Sequence, residues 1–292
     1  MTEDTTRRAH DLVEELRADI DFEIDDVIAN IVRDLPDDYF ERLKRAEQLT
    51  HLKTLLALNI CQLNSEIMLR SDDERHVAVI ARQDYPGLLA KILRHLPTKH
   101  KLIEAQIFTS KAHDFIIDLF EFESPDAESR EPAVESHEIE TLVDSIQQSL
   151  GVPREQVVDF VSHYPKSSHV FNSPDVVKEH FLALLELQKT NEAYIGLRPI
   201  EGETPELVQL TIATNHLTAR EVFQRSAEFL AGKSFEIEEA FLNDLSVSQD
   251  ENSSVSSFLI SSTPGNNEIE GETPVLDAKM VEELAFGLKS VK

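Results

Sequence analysis

The spacing of hydrophobic residues predicts two long helices at the start of the chain. Apolar residues recur at three- and four-residue steps from 11 to 35, which is the period of an amphipathic helix, and Pro36 ends this pattern. A second apolar pattern over residues 39–64 predicts another helix. Two long helices in succession favour an antiparallel hairpin or an arm, or helices that pair between subunits.

The hydrophobic period then changes to two, which predicts strands. Strands are predicted at 67–70, 76–81, 102–109 and 114–123, and helices at 88–96 and 137–150. Residues 124–136 are polar and contain proline, so they predict a loop. From residue 76 onward the order is strand, helix, strand, strand, helix.

The same order of elements returns about 130 residues later, which favours an internal repeat. Two helices are predicted within 152–190 and a strand at 193–200. The second set then has strands at 207–213, 235–247 and 255–261, helices at 218–231 and 277–288, and a polar loop at 248–254.

Charge limits the classes of partner. The chain has 55 acidic and 28 basic residues and a formal net charge of −27. Such a protein is repelled by phosphate backbones and anionic lipid, so we expect neither a nucleic-acid partner nor a membrane surface. No apolar run approaches the ~20 residues that span a bilayer, and the first residues do not resemble a signal peptide. We therefore expect a cytoplasmic protein.

Motifs for catalysis and cofactor binding are missing from the sequence. With 8 glycines the chain contains no GxG, hence no dinucleotide fingerprint, and no phosphate-binding P-loop. One cysteine excludes an internal disulfide and a cysteine zinc site, and Cys61 is predicted to be a packed small apolar residue. His137-Glu138 is followed by Thr141 where a zinc protease has its second histidine. We expect no catalytic residue, metal or cofactor in this chain.

One motif points to a family. The segment Asp84-Tyr85-Pro86-Gly87-Leu88-Leu89 follows a predicted strand and opens a predicted helix. It resembles the D-x-P-G-L-L signature of ACT domains, and Ala105-Gln106-Ile107-Phe108-Thr109 on the next strand strengthens the match. The resemblance implies a βαββαβ sandwich that binds an amino acid and regulates an attached enzyme. It makes Asp84, Tyr85, Pro86, Gly87, Leu88 and Leu89 the candidate ligand-binding residues.

The residue types in this segment suit that role. Proline fixes φ in the first helical turn, and glycine allows a close approach of backbone to ligand. The free amides at the helix start attract a carboxylate, and Asp84 can bind an ammonium group. The alternative is a strand-to-helix turn without a ligand. The corresponding turn of the second set, 214–218, has neither glycine nor an acid, so we expect it to be structural.

The arrangement of the whole chain is similar to the N-terminal region of the large NAD-specific glutamate dehydrogenases. The segments Asp38-Tyr39-Phe40 and Thr50-His51-Leu52 carry this resemblance. It implies an NAD-dependent catalytic domain, in cis or in trans, whose residues have no counterpart in this chain. An amino-acid effector and a homo-oligomer follow from the same resemblance.

The sequence thus predicts an α+β fold with two ACT-like units and antiparallel sheets behind a helical arm. The predicted domains are a helical arm at 1–65, an ACT-like unit at 66–151, a helical linker at 152–191 and a second, degenerate ACT-like unit at 192–292. An ACT unit has a fourth strand after its second helix, and the chain stops where that strand is expected. This suggests a truncated or continued reading frame, or a unit completed by another subunit.

Three functions remain open. The first is the amino-acid-sensing region of a glutamate dehydrogenase, which converts glutamate to 2-oxoglutarate and ammonia. The second is a stand-alone, non-catalytic ACT-type module that binds a ligand or assembles subunits. The third is the sensor part of a nitrogen-metabolism nucleotidyltransferase, which is disfavoured because such enzymes carry paired ACT units at the C-terminus.

Overall fold

The protein has an α+β fold in which the strands form an eight-stranded antiparallel sheet. The structure is a computed structural model. It describes residues 7, 10–16, 25–35, 39–40, 43–71, 76–83, 85, 87–110, 115–123, 136–164, 174–200, 207–248, 251–262 and 276–288.

Helices and strands are interspersed along the chain. In chain order they are α1 (Asp25–Asp34), α2 (Arg45–Ile60), β1 (Ile67–Arg70), β2 (His76–Ala81), α3 (Leu88–His95), β3 (Leu102–Ser110), β4 (Phe115–Phe122), α4 (Ser136–Leu150), α5 (Arg154–His163), α6 (Pro174–Thr190), β5 (Tyr194–Ile200), β6 (Leu207–Thr214), α7 (Ala219–Ala231), β7 (Phe235–Ser248), β8 (Glu251–Ser262) and α8 (Ala278–Leu288). Residues 10–16 are also helical.

The second predicted helix is shorter than its apolar pattern indicated. It begins at Arg45 and not at 39, because Lys44 has an extended backbone with ψ of 148°. It ends at Ile60, and Gln62 has a left-handed φ of 54°. Cys61 is therefore exposed at the end of this helix, and the prediction that it is packed was wrong. Residues 17–24 of the first predicted helix lie outside the described residues.

The chain divides into two compact units. Unit 1 consists of Met1–Tyr85 and Gln106–Glu121, and unit 2 of Pro86–Ala105 and Phe122–Lys292. In unit 1, β2 pairs with β1 on one side and with β4 on the other, both antiparallel. The helical residues pack their leucines against alternate positions of β2 and β4, including Ala78, Ile80 and Ile117. Burial of these apolar side chains stabilises the unit.

In unit 2 the neighbouring strands run in the order β7, β8, β6, β5, all antiparallel. Helices α4, α5 and α6 cover one face of these strands and pack on Ala213, Phe241 and Val255. Phe258 of β8 points to the other face because it lies an odd number of residues from Val255. Its ring stacks on Phe223 of α7 with centroids 5.6 Å apart. Helices thus cover both faces of β8.

The β7–β8 hairpin extends beyond its prediction. The polar segment 248–254 was expected to be a loop, but β7 reaches Ser248 and β8 begins at Glu251. Ser254, Ser256 and Ser257 are buried in β8. Serine is typical of turns, so the polar run 248–254 favoured a loop in the sequence, whereas the structure extends both strands into it and buries Ser254.

On the side of β6 that faces away from β8 lies β5, which precedes β6 in the chain. Tyr194 pairs with Ala213 and Ile200 pairs with Leu207, so β5 covers most of β6. Among the described residues, no helix combines the length and the apolar character that crossing a membrane requires.

Candidate functional site

The predicted effector turn leads into α3 through a glycine. Gly87 is the N-cap residue and has a φ of 87°, a left-handed conformation that favours glycine. A Cβ atom at this position would have no heavy atom within 4 Å, so the space beside the backbone is open. The first intrahelical bond runs from the Lys91 amide to the Gly87 carbonyl, at 3.0 Å. Glycine supplies no side-chain oxygen, so it caps none of the first amides of α3.

The other residues of the motif have different environments. Tyr85 is 42% exposed, and its hydroxyl donates to Glu66 Oε1 at 2.9 Å. Leu88 is buried and Leu89 half-buried, so Leu88 can offer a ligand only its backbone amide. Asp84 and Pro86 lie outside the described residues.

The corresponding helix start in the second set of elements is capped by the protein's own side chains. Glu221 Oε2 accepts from the Thr218 amide at 2.8 Å, and Thr218 Oγ1 accepts from the Glu221 amide at 3.3 Å. Asp244 of β7 reaches the same helix end, where its Oδ1 accepts from the Ala219 amide at 2.6 Å. These contacts form a capping box with an added carboxylate. At the start of α7, where an anion could bind, the backbone amides are therefore already bonded to side chains of the protein.

A buried polar network joins the helical layer of unit 2 to its sheet. Tyr164 Oη and His180 Nδ1 are hydrogen-bonded at 2.6 Å, and His180 Nε2 is bonded to Ser257 Oγ at 2.9 Å. Ser257 Oγ is also bonded to Thr211 Oγ1 at 2.8 Å. Arg198 of β5 donates to Gln209 Oε1 at 2.5 Å beside this group.

The order serine, histidine, tyrosine resembles the nucleophile, base and orienting group of a hydrolase, but its burial excludes that chemistry. Ser257 is 1% exposed and His180 is fully buried. Ser257 is already bonded to Thr211, so its hydroxyl has no approach for a substrate. The network satisfies polar groups within the core and fixes α6 against β6 and β8.

Burial controls the titration of this network. Desolvation lowers the pKa of His180 to about 3 and raises the pKa of Tyr164. The imidazole is therefore neutral at physiological pH. In that state one ring nitrogen donates and the other accepts, which matches its two hydroxyl partners.

Unit 1 contains a similar pair. Tyr39 Oη and His51 Nδ1 are hydrogen-bonded at 3.2 Å, and desolvation followed by the charge of His76 lowers the pKa of His51 to about 4. His51 and His180 each lie six residues after the first residue of their helix, at 45 to 51 and 174 to 180. Leucines follow each histidine at the same intervals, namely Leu55, Leu56 and Leu58 after His51 and Leu184, Leu185 and Leu187 after His180. The similarity of the two halves therefore includes these helices.

From the sequence, no role was assigned to His180. The signal that identifies its role is its position in the buried stripe of α6, with Val177, Phe181 and Leu184. A histidine in such a stripe needs polar partners in the core. Its partner Ser257 is distant in sequence and carries no signal of its own.

The described residues contain no group of three or more His, Cys, Asp or Glu side chains placed to hold a metal ion. No model of a known protein family and no curated protein matches this chain.

Proposed function

We propose that this chain is a non-catalytic regulatory region that binds a free amino acid at the turn Asp84–Leu89. It acts on an NAD-dependent glutamate dehydrogenase catalytic domain, in cis or in trans, within a homo-oligomer in the cytoplasm. The two sets of elements that we assign to ACT-like units follow the order β2, α3, β3, β4, α4 and β6, α7, β7, β8, α8. The repeated order and the antiparallel pairings support this proposal.

The observation that carries the proposal is the contrast between two helix starts. The first amides of α3 follow a glycine with open space beside it. At the start of α7 the backbone amides are instead hydrogen-bonded to the side chains of Thr218, Glu221 and Asp244. A helix N-terminus attracts anions because its first amides lack intrahelical acceptors. The start of α3 is thus suited to a carboxylate from outside, and the start of α7 has its carboxylates built in.

An amino acid fits this chemistry better than a simple anion. Its carboxylate would accept from the amides at Leu88 and Leu89, and Asp84 would pair with its ammonium group. Gly87 keeps the approach clear because it has no side chain. The positive φ of Gly87 directs the chain into the helix at this point.

The test is a thermal-melt series with the twenty standard L-amino acids, added singly at millimolar concentration. An effector at 100 times its Kd stabilises the protein by about 2.7 kcal/mol, which raises the melting temperature by several degrees. Gly87→Val should abolish this shift. Gly151→Val is the matched control, because Gly151 also has a positive φ, of 64°, and open space beside it.

Both valine variants carry similar backbone strain, so both should melt below the wild type. Only Gly87→Val should lose the response to the amino acid. If no amino acid shifts the wild-type melt, or if both variants lose the shift equally, the proposed site is wrong.

The link to a dehydrogenase has its own test, the intact mass of the native polypeptide purified from its cells. A product several times larger than 33.1 kDa, with NAD-dependent oxidation of glutamate, is expected if the catalytic domain is in cis. For a partner in trans, the activity should copurify with a 33.1 kDa chain. Native material of either size without this activity contradicts the link.

Exposed apolar side chains favour a second candidate, an assembly module without a ligand. Ile60, the last residue of α2, is 51% exposed, Leu63 is 49% exposed, and Phe286 of α8 is 78% exposed. Light scattering on the purified chain distinguishes the two functions when combined with the melts. A stable oligomer whose melt no amino acid changes supports assembly alone.

A further inference from the structure

One guanidinium group holds the C-terminal end of α3. Arg220, the second residue of α7, donates from Nη1 to the Pro97 carbonyl at 2.6 Å. Its Nη2 donates to the carbonyls of Leu93 and Leu96, at 2.7 and 2.9 Å. These carbonyls belong to the end of α3, where intrahelical donors run out. The planar fork of arginine can serve several such acceptors at once, and its charge complements the helix dipole.

A second polar link lies beside the first. Nζ of Lys101, the residue before β3, donates to the Asp244 carbonyl at 2.5 Å. The Asp244 carboxylate in turn caps the Ala219 amide. The segment from Leu93 to Lys101 is therefore tied to the first turn of α7 by side chains from both sides. All of these residues belong to unit 2.

The ion pair of α3 with Glu228 is weak. Arg94 donates to Glu228 Oε1 at 2.5 Å, but both side chains are largely exposed, and exposed ion pairs contribute little. With eight residues, α3 has about two turns and is marginal as an isolated helix. Arg220 therefore adds to the packing of its apolar face in holding this helix in place.

We propose that Arg220 is a positioning residue for the effector turn, because it fixes the far end of the helix whose first amides bind the effector. In so short a helix, freedom at the last turn reaches the first turn. The assignment of an effector to these amides rests on the proposed function. The effect of Arg220 on the stability of α3 does not depend on that assignment.

If the effector binds, its affinity and the hydrogen bonds of Arg220 must affect each other. A ligand that orders the first turn of α3 also favours the bonded state of Arg220, and loss of Arg220 weakens the ligand by the same factor. The start of α7 is capped by side chains of the protein. It would then serve to hold α3, the helix whose first amides bind the effector.

The experiment is hydrogen–deuterium exchange followed by mass spectrometry on the full chain, with Arg220→Met compared with the wild type. Peptides that cover 88–97 should exchange at least about tenfold faster in the variant, which corresponds to the loss of charge-assisted hydrogen bonds. Peptides from β6 and β8 should keep their wild-type rates. Arg225→Met is the matched control, because Arg225 lies on the same helix and bonds the Gly287 carbonyl of α8.

Arg220→Lys keeps the charge but loses the fork, so it should give an intermediate rate and provides a test if the methionine variant does not fold. Unchanged exchange of 88–97 in Arg220→Met, or in Arg220→Lys if only that variant folds, overturns the proposal. So does an equal increase in Arg225→Met, or a uniform increase over all of unit 2.

A second arm adds a mixture of the twenty standard L-amino acids at 1 mM each. The mixture should slow exchange of 88–97 in the wild type, and Arg220→Met should need at least about tenfold more to reach the same effect. If the mixture changes nothing in the wild type while Arg220→Met still loosens α3, the proposed effector site fails and the positioning role of Arg220 stands. An equal response of the wild type and Arg220→Met to the mixture would contradict the coupling between Arg220 and effector binding.

Discussion

At the scale of single residues, the buried histidines contribute to the response of the protein to acid. His180 is neutral and bonded on both ring nitrogens, and burial holds its pKa near 3. In the unfolded chain the same group titrates near 6.5. Between these values the unfolded chain binds a proton that the folded protein does not bind, so falling pH favours unfolding. His51 acts in the same direction, with a pKa of about 4.

We therefore predict that each of these histidines lowers the free energy of unfolding as the pH drops below about 6.5, by up to about 1.4 kcal/mol per pH unit. His180→Gln isolates one of them. At pH 7.5 the variant should be less stable than the wild type by about 1–3 kcal/mol, because hydrogen bonds in the core are lost.

Denaturant unfolding at pH 7.5, 6, 5 and 4.5 checks this. The gap between wild type and His180→Gln should narrow as the pH falls, since only the wild type carries the titrating imidazole. Carboxylates titrate in both proteins and cancel in the comparison. A gap that is constant with pH would mean that His180 is not protonated on unfolding.

Two adjacent serines of β8 give a matched pair of substitutions. Ser256 is fully buried, and its hydroxyl has no hydrogen-bond partner in the described part of the chain. Ser257 points to the opposite face, where it is bonded to His180 and Thr211. A buried hydroxyl without a partner costs free energy, whereas removal of a bonded one leaves its partners unpaired.

Ser256→Ala should accordingly be neutral or stabilising, by up to about 1 kcal/mol, and Ser257→Ala destabilising by about 1–3 kcal/mol. Equilibrium unfolding in urea measures both. Marked destabilisation by Ser256→Ala would show that this hydroxyl has a partner, such as an internal water.

At the scale of helices and strands, the apolar period predicted most elements within a few residues of their observed ends. It overestimated the helix predicted at 39–64 because apolar residues continue on both sides of α2, while the backbone leaves the helix at Lys44 and Gln62. It missed the first residues of β8 because a run of serines is typical of loops. Their pairing with the end of β7 is not contained in a local apolar pattern.

The candidate site was predictable only in part. The motif identified Gly87 as a residue that allows a close approach of the backbone, and the structure adds that its φ of 87° is left-handed. The capping of α7 by Asp244 and the bonds from Arg220 to α3 were not predictable. Each joins residues that are distant in sequence, and a single sequence gives no register between them.

At the scale of the whole molecule, the formal charge of −27 opposes folding through self-repulsion. Salt shortens the range of this repulsion, with a Debye length of about 30 Å at 0.01 M and about 10 Å at 0.1 M. We predict that the melting temperature at pH 7.5 rises between 10 and 200 mM sodium chloride. An unchanged or falling melting temperature would mean that local ion pairs outweigh the net charge.

The central claim is that a free amino acid binds at the start of α3, and the chain offers a direct way to observe it. Its 8 glycines give a small set of signals in a ¹⁵N–¹H correlation spectrum of protein labelled only at glycine. Gly87→Ala assigns the Gly87 signal. Titration with the unlabelled amino acid that most raises the melting temperature should move the Gly87 amide and leave Gly151 and Gly196 in place. If the Gly87 signal stays fixed at saturating concentration, or if all three signals move alike, the effector does not bind at this turn.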